Sequence, residues 1–201
     1  MTTRSVTTHL TTGETVRLRP IGPWDRAREV DLISRLSDHS RYLRFFTGAR
    51  TLPDSLIDRL VSVDGYHQIA WGALDLSVPG WPLMGVVRAI RQSQPDTADL
   101  AMAVLDAHHG KGLARLLMSA VVEDARAGGI RRLAADTLAE NAAARRLFRA
   151  IGGHATGRDG HVVSYAFDAD TVAGRLAAIT PGKAMDDLRQ AFASQRMRRS
   201  A

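Results

Sequence analysis

Thr97-Ala98-Asp99-Leu100-Ala101-Met102-Ala103-Val104-Leu105-Asp106-Ala107-His108-His109-Gly110-Lys111-Gly112-Leu113-Ala114-Arg115-Leu116-Leu117 decides the fold. Its first part alternates: Leu100, Met102 and Val104 fall on one face and Asp99, Ala101 and Ala103 on the other, which predicts a strand over 98–104. Gly110-Lys111-Gly112 then opens an amphipathic helix predicted over 113–127. A glycine turn at a helix N-terminus offers unpaired backbone N–H groups at the positive end of the helix dipole. Without a Cβ in the way, an anion can reach that backbone. The stretch is a cradle for a diphosphate.

Spacing excludes two common owners of such a cradle. A nucleoside-triphosphate loop needs Ser or Thr after its G-K pair, and Gly112 is followed by Leu113. A dinucleotide fingerprint needs a third glycine where Arg115 stands, and it belongs to the first strand–turn–helix unit of a chain. His109-Gly110-Lys111-Gly112-Leu113-Ala114 instead resembles the Q/R-x-x-G-x-G/A signature of the GNAT superfamily of N-acetyltransferases, with histidine in place of the usual Gln or Arg.

Three further stretches carry the same resemblance in the same order. Val16-Arg17-Leu18-Arg19-Pro20 looks like the opening strand of the superfamily. Ser37-Asp38-His39-Ser40-Arg41-Tyr42-Leu43-Arg44-Phe45-Phe46 resembles the S-x-x-S-R-Y-x-R-F-F segment of its bacterial protein-lysine acetyltransferase branch. Asn141 to Gly153 resembles the N-x-x-A-x-x-L-Y-x-x-x-G-F segment: Asn141 is placed to cap a helix with the stripe Ala144, Leu147, Phe148 and Ile151, and Gly152 to stop it. The resemblance runs from about Thr15 to Phe167.

The resemblance implies an α+β fold: a mixed, mostly antiparallel central sheet flanked by helices and splayed at its middle strands. It implies acetyl-CoA as acyl-donor cosubstrate. The pyrophosphate would rest on His109, Gly110, Lys111, Gly112, Leu113 and Ala114, and the thioester arm along Met102, Ala103 and Val104, with freed N–H groups around Ala103 and Val104. Asn141 is expected to contact the cosubstrate as well. In the protein-acetylating branch a glutamate in the motif A-E-F-A serves as general base; here Ala98-Asp99-Leu100-Ala101 puts Asp99 in that place, one methylene shorter. Where the family often has a tyrosine as general acid, this chain has Phe148, and Tyr165 or a water is left for that role.

The chemistry sets its own demand. A lysine-type amine is almost fully protonated at neutral pH, and reaching the free amine costs about 4–5 kcal/mol. Something must take that proton, directly or through water, and the resemblance gives that role to Asp99. With no cysteine, a cysteine acyl-enzyme is excluded and direct attack in a ternary complex is favoured. The absence of cysteine also removes disulfides and thiolate zinc sites, and His108-His109 lacks the spacing of a metal motif. Protein lysine is the leading acceptor, a small amine the alternative. An acyl-CoA-binding regulatory module that has lost catalysis is the reading from a different class.

Composition bounds the rest. The 201 residues suit one domain with an appendage, and no apolar run is long enough to span a bilayer. The start, Met1-Thr2-Thr3-Arg4, lacks the apolar core of a secretory signal, so a cytoplasmic chain is expected. Of the net charge of +6, the stretch from Leu188 onward holds +4 in Arg189, Arg196, Arg198 and Arg199. A near-neutral body with a basic tail speaks against nucleic acid as the main partner. Residues 1–14 are set apart as an N-terminal segment, 15–168 as the acetyltransferase-like domain, and 169–201 as a helical extension broken at Pro181-Gly182, with an unstructured end from Arg196. The extension is expected to pack on its own domain, in a monomer or homodimer. Arg41 and Arg44 are candidates for contact with an acceptor or the cosubstrate, but the expectation is surface side chains lying over a core anchor at Phe45-Phe46; Trp71 and Trp81 are expected in the packing.

Overall fold

A computed structural model describes residues 5–180 and 182–199. Eight strands form one sheet in the order β1-β2-β3-β4-β5-β6-β8-β7. They are β1 (Val6–His9), β2 (Thr15–Pro20), β3 (Gln68–Asp75), β4 (Leu83–Arg91), β5 (Thr97–Val104), β6 (Arg132–Leu138), β7 (His154–Asp159) and β8 (Val162–Asp168). Every neighbouring pair is antiparallel except β5 and β6, which run parallel. The central strands β3 and β4 are buried on both faces, which is why they read as nearly unbroken apolar runs.

Seven helices cover the two faces: α1 (Arg26–Arg35), α2 (Asp38–Phe45), α3 (Asp54–Val61), α4 (Leu113–Ala127), α5 (Ala142–Ala150), α6 (Ala169–Ile179) and α7 (Lys183–Arg199). On one face α4 is the keystone. Its Leu113, Leu117, Met118 and Val121 are fully enclosed and join Leu18, Trp71, Val87 and Leu100 in the main core. On the other face α1 packs Leu32 and Leu36 over Ile21, Leu74, Val86 and Ala103. The alternation of β5 is thus satisfied on both sides, with Leu100 and Val104 turned to α4 and Ala103 to α1.

Three elements had no counterpart in the expected strands and helices. β1 lies in the segment before Thr15: Val6 and Thr8 are buried, and Thr8 donates a 2.7 Å hydrogen bond to Asp187 of α7. β7 is an exposed edge strand rich in polar residues and glycine, which masks its alternation. α2 is too short to show several apolar turns; Ser37 caps it by accepting from the Ser40 N–H at 3.1 Å. Beyond β8, α6 packs on α4, and α7 lies against β1 and α4, with the Phe192 ring 5.5 Å from Trp71. α7 continues to Arg199 rather than ending before Arg196, because Met185, Leu188 and Phe192 anchor it. Pro181, expected to break the extension, lies outside the described residues, as do Ser200 and Ala201. No helix among the described residues is long and apolar enough to cross a membrane.

Candidate active site

The two parallel strands part company early. β5 and β6 pair only at Thr97–Arg132, Ala98–Leu133 and Asp99–Ala134. After Asp99 no register joins them, while β6 continues alongside β8 for seven pairs, to Leu138. The hydrogen bonds at the ends of the β4–β5 ladder, Leu105 N–H to the Met84 carbonyl and Gln92 N–H to the Thr97 carbonyl, fix its alternation. Odd-numbered residues of β5 turn their main-chain groups to β4 and even-numbered ones to β6; the Asp99–Ala134 pair takes up the Leu100 N–H, so the N–H groups of Met102 and Val104 face the gap. Of the two freed N–H groups expected from sequence, that of Val104 faces the gap. The Ala103 N–H does not: it points to β4, one position out of phase, and Met102 takes its place.

At the far end of β5 the chain turns into α4. Gly110 and Gly112 hold φ of 76° and 83°, the left-handed region that favours glycine, and a Cβ built on either would meet nothing within 4 Å. That open space lies over a helix start with no side-chain cap and no acid in its first turn. The N–H groups of Arg115 and Leu116 bond back to the Gly112 carbonyl, which leaves those of Leu113 and Ala114 without an intrahelical acceptor. A diphosphate fits this cradle: a β-carbon would fill the space, and the donors have no other partner in the helix.

The side chains of this loop are otherwise engaged. His109 Nε2 lies 2.8 Å from the Val104 carbonyl and braces the turn against the end of β5. Lys111 Nζ donates to Glu14 Oε1 at 2.6 Å, and this bond, aided by Thr12, holds the Glu14 carboxyl down at about 2. Leu113 is enclosed in the core, and Ala114 packs at its edge. Their contribution to the loop is main chain alone.

A cavity of about 260 Å³ opens within the gap. Asp99, Ala101 and Met102 line it from β5, Asp136 and Thr137 from β6, and Leu43, Arg44 and Phe46 from α2 and its C-cap. The parallel register pairs Asp99 with Ala134, which places Asp136 on the same face two residues further along. Desolvation raises the Asp99 pKa above the usual aspartate range; the Gln92 amide hydrogen bond opposes this and the nearby Asp136 charge adds to it. Asn141 and Phe148 close the other side of the cavity. Asn141 spends its Oδ1 on capping α5, accepting from the Ala144 N–H at 3.0 Å. Phe148 packs edge-on to Tyr165 and Phe167, with ring centroids 5.3 and 5.4 Å away.

One contact missed in the sequence joins the two ends. Asp106, in the turn after β5, accepts from Ser40 Oγ at 2.7 Å, from Ser37 Oγ at 2.9 Å and from the Ser37 N–H at 3.2 Å. Burial pushes its pKa up, but these bonds outweigh that and hold it below the ordinary aspartate value. The two serines of the S-x-x-S segment therefore tie α2 to the phosphate loop. The spacing Ser37–Ser40 was visible; its acceptor was not, because 66 positions separate Ser40 from Asp106.

Two other expectations are corrected. Arg41 is 5 % exposed rather than on the surface, donating to the carbonyls of Leu36 and Ala49 and pairing with Asp38. Trp71 is buried as expected, with its indole N–H on Asp124 at 3.0 Å, but Trp81 is 45 % exposed at φ 49°, capped by the Arg17 guanidinium.

Comparison with known proteins places this architecture. Residues 52–152 match the model of the acetyltransferase (GNAT) family. The chain is 30% identical over 140 residues to an acetyltransferase of Pseudomonas aeruginosa, covering 70% of this chain and 75% of that protein. The chain belongs to the GNAT family and is an acetyl-CoA-dependent N-acetyltransferase. Among its relatives is acetyltransferase Pat of Mycolicibacterium smegmatis, 30% identical over 146 residues, of which this chain spans 42% of the length and the match 70% of this chain. Among solved structures, the GNAT domain of S. lividans PAT superposes with a TM-score of 0.74 at 30% identity, covering 82% of this chain and 96% of that one.

Proposed function

We propose that this enzyme acetylates lysine ε-amines of proteins, with Asp99 as the general base. The observation that carries the reading is the position of Asp99: the last residue of β5 paired with β6, its carboxyl lining the cavity, its proton affinity raised by desolvation. A carboxylate with raised pKa is a better proton acceptor, and the gap brings the acceptor amine to it. Acetyl-CoA supplies the acetyl group as an activated thioester. The loop at Gly110–Gly112 and the N–H groups of Leu113 and Ala114 would hold its diphosphate, and the N–H groups of Met102 and Val104 its arm. His109 serves by bracing the loop, and Lys111 can reach a phosphate only by leaving Glu14.

The protein-lysine part rests on the Ser37–Phe46 segment, which roofs the cavity, and on similarity to proteins named Pat and PAT. The test is incubation with acetyl-CoA and a deacetylated proteome, read by mass spectrometry. New acetyl-lysines are expected at sites that the Asp99→Asn protein leaves unmodified. Thiol release with small amines alone would overturn the reading.

A further inference from the structure

Arg44 is the cationic residue in the cavity lining, and this chemistry does not use its charge. It sits in the last turn of α2, and its guanidinium lies 4.8 Å from the centre of the Phe45 ring. Among the described residues it makes no hydrogen bond and no ion pair. The nearest acid is already engaged: Glu29 lies 2.9 Å from Arg88, and both are almost fully buried. Arg44, Arg88 and Glu29 together leave one positive charge in the wall. Burial, with Arg88 nearby, lowers the Arg44 pKa to about 10, and Glu29 opposes this; the group stays charged at neutral pH. Neither Asp99 nor Asp136 pairs with it, although all three line the same cavity. The cavity thus has a negative side on β5 and β6 and a positive side on α2.

We infer that the acceptor is an amine with a carboxylate close by, a lysine flanked by an acidic residue: Asp99 and Asp136 draw the ammonium, and Arg44 holds the neighbouring carboxylate. This rests on the acetyl-transfer reading of the site and deepens it. A guanidinium meets a carboxylate through two parallel charge-assisted hydrogen bonds, which favours the match over a neutral amide and disfavours a second cation. Arg44 is a specificity-determining residue, not a catalytic one.

The experiment compares kcat/KM for a lysine peptide with glutamate beside the lysine and the same peptide with glutamine there. A second pair compares Nα-acetyl-lysine with its carboxamide. The wild-type enzyme is expected to favour the carboxylate of each pair by roughly tenfold, mostly through KM. In Arg44→Gln the ratio falls to about one, and in Arg44→Glu it inverts, so that the uncharged member of each pair is preferred. A thermal melt of each variant confirms that it is folded, and Arg44→Lys is expected to recover part of the preference. A wild-type ratio near one, or a ratio unmoved by Arg44→Gln, overturns the inference while peptide turnover leaves the lysine assignment standing. If only the small pair is turned over, the protein-lysine assignment falls, and the inference stands when that pair's ratio collapses in Arg44→Gln.

Discussion

At the α4 end of the gap the contacts on offer are main chain: two left-handed glycines and the N–H groups of Leu113 and Ala114. At the α2 end they are side chains: Asp99, Asp136 and Arg44, from three different elements. The difference follows from what each end must recognise. A diphosphate is the same in every turnover, and backbone donors at a helix start bind it whatever residues surround them, provided no Cβ intrudes. An acceptor differs from one enzyme to another, and only side chains can encode it. On the reading proposed above, the main-chain end suits the invariant cosubstrate and the side-chain end tells acceptors apart.

The contrast can be broken most severely at Asp99. Asp99→Asn should lower kcat with a lysine acceptor by roughly 10²–10⁴-fold near neutral pH, with little change in acetyl-CoA affinity by calorimetry. Activity relative to wild type should recover as pH approaches the amine pKa, where solution already supplies free amine. Asp99→Glu should retain activity. A variant that binds acetyl-CoA much more weakly would show that the two ends are not separable.

At the other end, Gly112→Val places a branched side chain in the open space at a positive φ. The strain alone is about 1–2 kcal/mol, and a lost phosphate approach adds to it. Acetyl-CoA affinity should fall at least tenfold, about 1.4 kcal/mol, while the choice between acceptors is unmoved in whatever turnover remains. Calorimetry on the folded variant checks this.

A smaller effect is expected where the ends are joined. Asp106→Ala removes the acceptor of three hydrogen bonds from Ser37 and Ser40. On a partly exposed surface the loss is about 1–2 kcal/mol of stability. The acceptor KM and the acetyl-CoA KM should rise together, by a few-fold each. A rise in only one would mean that α2 and the loop do not communicate through this carboxylate.

The smallest effect has the opposite sign to the first. The Asp99 pKa is raised in the folded protein, so its charge works against folding: the contribution is absent below the unfolded aspartate pKa and becomes a loss of stability as pH rises through the folded value. Asp99→Asn removes that charge. The inactive variant should melt slightly higher than wild type at neutral pH, and the difference should vanish in acid. An unchanged or lower melting temperature at pH 7 would show that desolvation in the cavity does not weigh on this carboxylate.

What could be read from the residues divides along the same line. Gly110, Gly112 and the α4 pattern carry local signals: a turn needing a left-handed conformation and a helix with an apolar stripe. So do Asn141, which caps α5, and Gly152, which holds φ 93° at its end. Asp99 is named from the resemblance of Ala98-Asp99-Leu100-Ala101 to a family segment, and the structure sets it on the cavity wall. Arg44 is visible as a candidate contact but reads as a surface residue, and Asp136 is not seen at all, because their convergence on one cavity depends on a gap between strands more than thirty positions apart, which no local pattern encodes. The phase of Ala103 was missed for a related reason: which edge of a strand a residue's amide faces is set by its partner. β7 stayed hidden because hydrophobicity is the main strand signal and this edge strand has little.

The early parting of β5 and β6 also governs how the molecule breathes. A sheet joined at its centre by three register pairs, against seven on the next seam, consists of two half-sheets meeting at Thr97–Asp99. The amides of Met102 and Val104 have no strand beside them, so they should exchange with solvent deuterium while their neighbours Ala101 and Ala103 stay protected. If acetyl-CoA lies in the gap as proposed, it stands in for the missing strand, and the alternating pattern of protection along β5 should even out. The cosubstrate is then a removable piece of the sheet, and its departure returns the enzyme to two halves.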